Sequence, residues 1–172
     1  MRRHGPGNRD MAKLRIYLDT SVINFLFADD APDLQQATEE LFERFISPRR
    51  YEAFISMVVI DEINRTMDIR KRDRLLSVVK KYELPYLPLE PRADLVDLAV
   101  TYIRRKVIPR TKFDDALHVA LCTLHRMDVL VSWNFAHLAN VNKERKVAET
   151  NQMLGYTHPL RITTPLEVMS DD

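Results

Sequence analysis

Three carboxylates and an amide mark points where apolar stretches of this chain turn polar. They are Asp19 in LRIYLDTSVINF, Glu62 in FISMVVIDEI, Asp115 in KFDDALHVAL and Asn134 in DVLVSWNF. Asp19 and Asn134 follow or closely trail the two clearest strand candidates, Glu62 comes just after a third, and Asp115 opens a long apolar helix. In an open parallel α/β sheet the carboxyl ends of the strands line the ligand crevice, so side chains distant in sequence meet there. Carboxylates without an accompanying cysteine or histidine set suit a hard divalent cation such as Mg²⁺ or Mn²⁺. Such a cluster would serve metal-assisted hydrolysis of a phosphodiester, with one or two ions held among its carboxylates.

Each of these residues also has a plain structural use. An Asp after a strand can cap the next helix, but Thr20 and Ser21 are available as caps, which frees Asp19 for chemistry. Asn24, a turn later, can line the same pocket. Asp61 adjoins Glu62, and successive helical residues point about 100° apart, so only one can face a given site. Asp114 and Asp115 both fall in a first helical turn, where the helix dipole favours negative charge whatever the function. Asp115, His118, Cys122 and His125 share one helical stripe. No second Cys or His pair completes a soft-metal site there, so Cys122 is expected to pack and His118 to hydrogen-bond beneath the acids. Asn134 can offer its amide oxygen to a cation or hold a water, without adding charge. Ser132 can bond a carboxylate, and His137 either contacts phosphate when protonated or packs on the sheet. Trp133 and Phe135 are suited to stacking an unpaired base, although packing is the commoner fate of such rings.

The elements that must position these groups alternate along the chain. Strands are expected at 14–18, 51–56, 84–89, 128–132 and 161–163, the third punctuated by prolines and so placed at a sheet edge. Helices are expected from Thr20 or Ser21 through Phe27, over 31–46, 58–67, 72–82, 91–105, 113–126 and 141–154, with a short helical turn at 133–138. Gly155 ends the last of them. This alternation implies an α/β, doubly wound parallel sheet of four or five strands, with the first strand central.

At 172 residues the chain fits one domain with a real core, expected over 12–170 after a flexible extension at 1–11, with Met11 an alternative start to Met1. No apolar run approaches the roughly 20 residues of a membrane span, and the basic N-terminus lacks the apolar segment of a secretory signal. The lone Cys122 excludes an internal disulfide and fits a reducing compartment, the cytoplasm. The net charge is only +1, so no global field announces nucleic acid. The basic residues are nonetheless clustered: Arg65, Arg70, Lys71, Arg72 and Arg74 follow Glu62, while Arg104, Arg105, Lys106, Arg110 and Lys112 precede Asp114. Such clusters suit a groove that tracks phosphates, and they suit solvated helix ends equally well.

The segments LDTSVINFL, ISMVVIDEI, DDALHVAL and LVSWNFAHLAN resemble, in that order, the signature blocks of PIN-domain nucleases, above all the VapC-type toxins of toxin–antitoxin pairs. The likeness runs from about Leu14 to about Val168. It implies a metal-dependent endoribonuclease in which Asp19, Glu62 and Asp115 are the catalytic acids and ligands of Mg or Mn, with Asn134 where many members have Asp and His137 where others place a further Asp. Thr20, Asn24, Asp114, Ser132 and His137 are accessory candidates, and Arg65, Arg104, Arg105, Arg110 and Lys112 are candidate RNA contacts. A cognate antitoxin and a homodimer are the partners the resemblance implies. The alternatives are an RNA-processing or single-stranded DNA nuclease, or a nucleic-acid-binding module whose catalytic site has decayed through Asn134.

Overall fold

A computed structural model of the chain describes residues 12–170; the extension expected at 1–11, and the choice of Met1 or Met11 as start, lie outside the described residues. β1 (Arg15–Leu18) leads into α1 (Thr20–Phe25) and α2 (Pro32–Leu41), then β2 (Glu52–Ser56), α3 (Met57–Asn64), α4 (Ile69–Lys81) and β3 (Tyr86–Leu87). There follow α5 (Arg92–Arg104), α6 (Phe113–Leu124), β4 (Val129–Val131), α7 (Val141–Met153), β5 (Arg161–Thr163) and α8 (Pro165–Ser170). The five strands form one sheet in the order β3-β2-β1-β4-β5, parallel throughout. From β1 the chain winds outward through β2 to β3, then returns to the other side through β4 to β5. The direction of winding therefore reverses between β1 and β4, which is where a doubly wound sheet opens its crevice.

Successive strand residues point to opposite faces, and Ile16, Tyr17 and Leu18 are all fully buried, as are Leu130 and Val131. Both faces of the sheet centre are covered, the usual state of parallel strands packed under helices. β3 occupies an edge, as its flanking prolines require. Among the described residues no helix is long and apolar enough to cross a membrane.

Five local departures from the sequence reading have physical causes. The N-cap position of α1 is Asp19 rather than Thr20 or Ser21, and its side chain bonds no helix N–H. The helix expected over 31–46 changes after Leu41 into a π-helical turn, Phe42–Ile46, whose wider winding carries Phe42, Phe45 and Ile46 into the core. α4 begins at Ile69 because Asp68 Oδ1 accepts the Lys71 N–H at 3.2 Å, a cap that lies ahead of the apolar pattern. The helix expected at 133–138 is a set of hydrogen-bonded turns. There Asn134 Oδ1 takes the His137 N–H at 3.1 Å, competing with the helical ladder. α8 follows β5 where no helix was expected, with Pro165 in its first turn and Thr164 Oγ1 accepting the Glu167 N–H.

Leu130 is fully buried in β4 beside β1. Leu130→Ala should destabilise the fold by about 3 kcal/mol, read as a lower urea midpoint at unchanged slope.

Candidate active site

The cleft at the winding reversal encloses about 320 Å³ and is lined by Asp19, Thr20, Ser21, Asn24, Glu62, Thr111, Lys112, Asp114, Asp115, His118 and Asn134. It gathers residues from the end of β1, from α1, α3 and α6, and from the turn after β4. A second depression, about 660 Å³, includes Lys13, Tyr51, Glu52 and Phe54. It lies toward the amino ends of β1 and β2 and contains none of the candidate acids.

Asp19 is 4% exposed. Its Oδ1 accepts the Ser21 hydroxyl and its Oδ2 the Ser132 hydroxyl, each at 2.5 Å. Those hydroxyls are themselves oriented: Ser21 Oγ accepts the Trp133 N–H at 2.9 Å and Ser132 Oγ the Asn134 N–H at 3.0 Å. The backbone after β4 thus aims two donors at a carboxylate that follows β1. Burial raises the Asp19 pKa, an effect His118 and the two serines oppose.

Glu62 enters the cleft, whereas Asp61 on the same helix is exposed. Glu62 Oε1 accepts from Thr20 Oγ1 at 2.9 Å and from His118 Nε2 at 2.5 Å. Burial pushes the Glu62 carboxyl up, but its bond to His118, that ring's charge, Thr20 and Arg65 outweigh burial and leave it below the ordinary value. His118, one turn along α6 from Asp115, is 1% exposed. Burial would lower its pKa; the bond to Glu62 and the surrounding carboxylates raise it instead.

Asp115 is the acid least provided for. Asn134 Nδ2 donates to its Oδ2 at 3.3 Å. Burial first, and then the charges of Asp19 and Glu62, push its pKa from 3.8 to about 6 against the pull of His118 and Lys112. From its type alone Asn134 can offer its amide oxygen to a cation or hold a water. That oxygen instead takes the His137 N–H, and the NH₂ end faces the carboxylate. Asp114 also lines the cleft but pairs with Arg65 at 2.8 Å. Ser132 is fully buried and acts on Asp19, while His137 does not line the cleft.

Of the basic candidates, Lys112 lines the cleft and Arg65 reaches its Asp114 wall. Arg104, Arg105 and Arg110 do not line it, and Arg105 donates from Nε to Thr150 Oγ1 at 3.2 Å on α7. Trp133 is buried with Nε1–H on Thr38 Oγ1, whereas Phe135 is exposed. Cys122 packs, and His125 Nε2 lies 2.7 Å from the Pro88 carbonyl, so the stripe on α6 does not form a soft-metal set. Sequence reasoning missed Tyr17, Ser21 as an Asp19 partner, Ser56 and Thr111. Only Tyr17 carried a readable signal: it stands two positions before Asp19, and alternation in extended chain puts both on one side.

The raised Asp115 pKa has a stability consequence. A carboxyl with a folded pKa above its unfolded one stabilises the fold while protonated, a contribution complete below about 3.8 and lost as pH rises through about 6. Asp115→Asn removes the charged form. In metal-free buffer at pH 8 it should therefore raise stability, on the order of 1 kcal/mol after allowing for solvent screening. That corresponds to roughly 3 °C in Tm, and the gain should vanish by about pH 4, checked by melting curves of both proteins across that range.

Comparison with protein-family profiles matches residues 16–155 to the family described as PIN domain. The match runs from β1 to just beyond α7 and leaves β5 and α8 outside it. No curated protein sequence matches the chain. With most of its length matched, and with its acids gathered at the winding reversal of a five-stranded parallel sheet, the chain belongs to the PIN domain family, whose members are generally nucleases and commonly use divalent metal ions.

Proposed function

We propose that the protein is a Mg²⁺- or Mn²⁺-dependent endoribonuclease, the toxin of a toxin–antitoxin pair, with Asp19, Glu62 and Asp115 as its catalytic acids. The observation that supports this reading is the meeting of three carboxylates from three separate elements in one small cleft. Among the described residues, no group of three or more His, Cys, Asp or Glu side chains is already drawn together as a metal-ligand set. An open set of carboxylates nevertheless fits Mg²⁺, which dehydrates reluctantly and binds through one or two carboxylates with waters and substrate phosphate. The raised Asp115 pKa fits as well, because a cation would relieve repulsion that the protein itself leaves unbalanced.

In this reading Asp19 is held by Ser21 and Ser132, Glu62 by Thr20 and His118, and Asp115 by Asn134, all three acids lining one cleft. A bound divalent cation supplies the positive charge that activates water and stabilises the scissile phosphate in the transition state. Lys112 lines the cleft and Arg65 pairs with Asp114 at its wall, and in this reading both offset the repulsion between RNA and the acids. The Arg65–Asp114 pair is exposed enough to exchange partners at little cost. A cognate antitoxin, a homodimer and a cytoplasmic setting belong to the same reading. A decayed binding module is a poorer reading of Asn134, because its amide supports Asp115 in the cleft.

The test is incubation of purified protein with structured and unstructured RNA, and with single-stranded DNA, in Mg²⁺, Mn²⁺ or EDTA. RNA cleavage that EDTA abolishes is the expected result, and cleavage of DNA alone would redirect the substrate assignment. Asp19→Ala should lower cleavage by at least roughly 100-fold, about 2.7 kcal/mol of transition-state stabilisation. An Asp19→Ala protein cleaving at the wild-type rate would sink the proposal. Lys112→Ala should raise KM severalfold with kcat nearly unchanged and make binding less sensitive to salt, measured at two ionic strengths.

A further inference from the structure

Behind Glu62 runs a buried chain of polar side chains. Tyr17 is fully buried and its hydroxyl lies 2.7 Å from His118 Nδ1 and 2.7 Å from Ser56 Oγ. His118 passes the contact on through Nε2 to Glu62 Oε1. Ser56 is the N-cap of α3, where its Oγ accepts the Val58 N–H at 3.2 Å, and α3 is the helix that carries Glu62. The chain therefore closes on itself: Glu62 to His118 on α6, to Tyr17 on β1, to Ser56, and back along α3. It joins the elements that carry or precede all three acids of the cleft.

Packing alone does not require these polar groups. A Phe at 17 and a Leu at 118 would fill similar space, and replacing both partners of a buried hydrogen bond with apolar groups of like shape is nearly neutral. With Tyr17 fully buried and His118 only 1% exposed, neither presents enough surface to meet a substrate. Both bonds that hold Glu62 fall on the same atom, Oε1. Two donors on one oxygen fix the plane of the carboxylate without occupying its second oxygen.

We infer that Tyr17 and His118 are positioning residues for Glu62, clamping Oε1 so that Oε2 stays available in the cleft to a divalent cation. The inference rests on the nuclease reading above. It assigns to a strand residue and a helix residue, neither of them an acid, the task of setting the geometry of the cation site.

The experiment is calorimetric titration of Mn²⁺ into the full chain without RNA, alongside melting curves and binding of uncleaved RNA in EDTA. Tyr17→Phe and His118→Leu should bind Mn²⁺ roughly 10-fold or more weakly, while RNA affinity in EDTA stays at the wild-type value. His118→Gln, whose amide can donate from near the Nε2 position but offers Tyr17 nothing at Nδ1, should bind Mn²⁺ more tightly than His118→Leu without reaching the wild-type affinity. If His118→Leu does not fold, Tyr17→Phe and His118→Gln carry the comparison. Folded Tyr17→Phe with wild-type Mn²⁺ affinity overturns the inference, as does His118→Gln binding as weakly as His118→Leu. Wild-type protein that binds no Mn²⁺ overturns the proposed function itself, and this inference with it.

Discussion

Like charges held together at the mouth of a parallel sheet are the constraint on which the rest of this structure depends. Asp19, Glu62 and Asp115 share one small cleft, and water is partly excluded from all three. Mutual repulsion would favour their dispersal or neutralisation. The molecule opposes it by giving each carboxylate its own donors: two serines for Asp19, a threonine and a histidine for Glu62, an asparagine amide for Asp115. The provision is uneven. Asp19 and Glu62 each receive two bonds of 2.5–2.9 Å, while Asp115 receives one at 3.3 Å and carries the pKa pushed to about 6.

The sheet makes this concentration affordable in structural terms because its rigid centre lies directly beneath. β1 and β4 are buried on both faces, and the residues that leave them, Asp19 on one side and Ser132 on the other, meet at the reversal of winding. The Asp19 N–H also bonds the Val131 carbonyl at 3.2 Å, so backbone and side chain are both tied to the end of β4. The cleft is thus a place where stability is given up locally and recovered from the core below, the usual trade between a working site and a stable fold.

Asn134 shows how one side chain organises a neighbourhood without carrying charge. Its oxygen takes the His137 N–H and shapes the turns after β4, while its nitrogen end meets Asp115. A carboxylate at this position could still accept from His137 but would set another negative charge against Asp115. The amide therefore lowers the charge of the cleft while keeping its shape. Arg65 and Asp114 add a second balance at the rim, where a solvent-exposed ion pair holds a cation close to the acids without fixing it.

The sequence by itself determined the alternation of strands and helices, the parallel sheet, the edge position of the proline-flanked strand and the candidate acids, because these rest on local hydrophobic period and on residue type. It also placed His118 under the acids, since a helix puts residues three apart on one face. Helical register could not choose between Asp61 and Glu62, a choice that only the family resemblance made, and nothing local said which end of Asn134 faces Asp115, because those depend on how α3 and the turns after β4 seat against other elements. Nor could the sequence show that Asp19 occupies a cap position without capping, since the two hydroxyls that claim it come from α1 and from the end of β4. Ser56 stood out in no way along the chain and Tyr17 only by its spacing from Asp19, and it is the fold that joins them through His118 into one chain ending on Glu62. Local order follows from neighbours along the chain, whereas the direction and partner of a buried polar atom follow from contacts across it, and only the tertiary structure decides those.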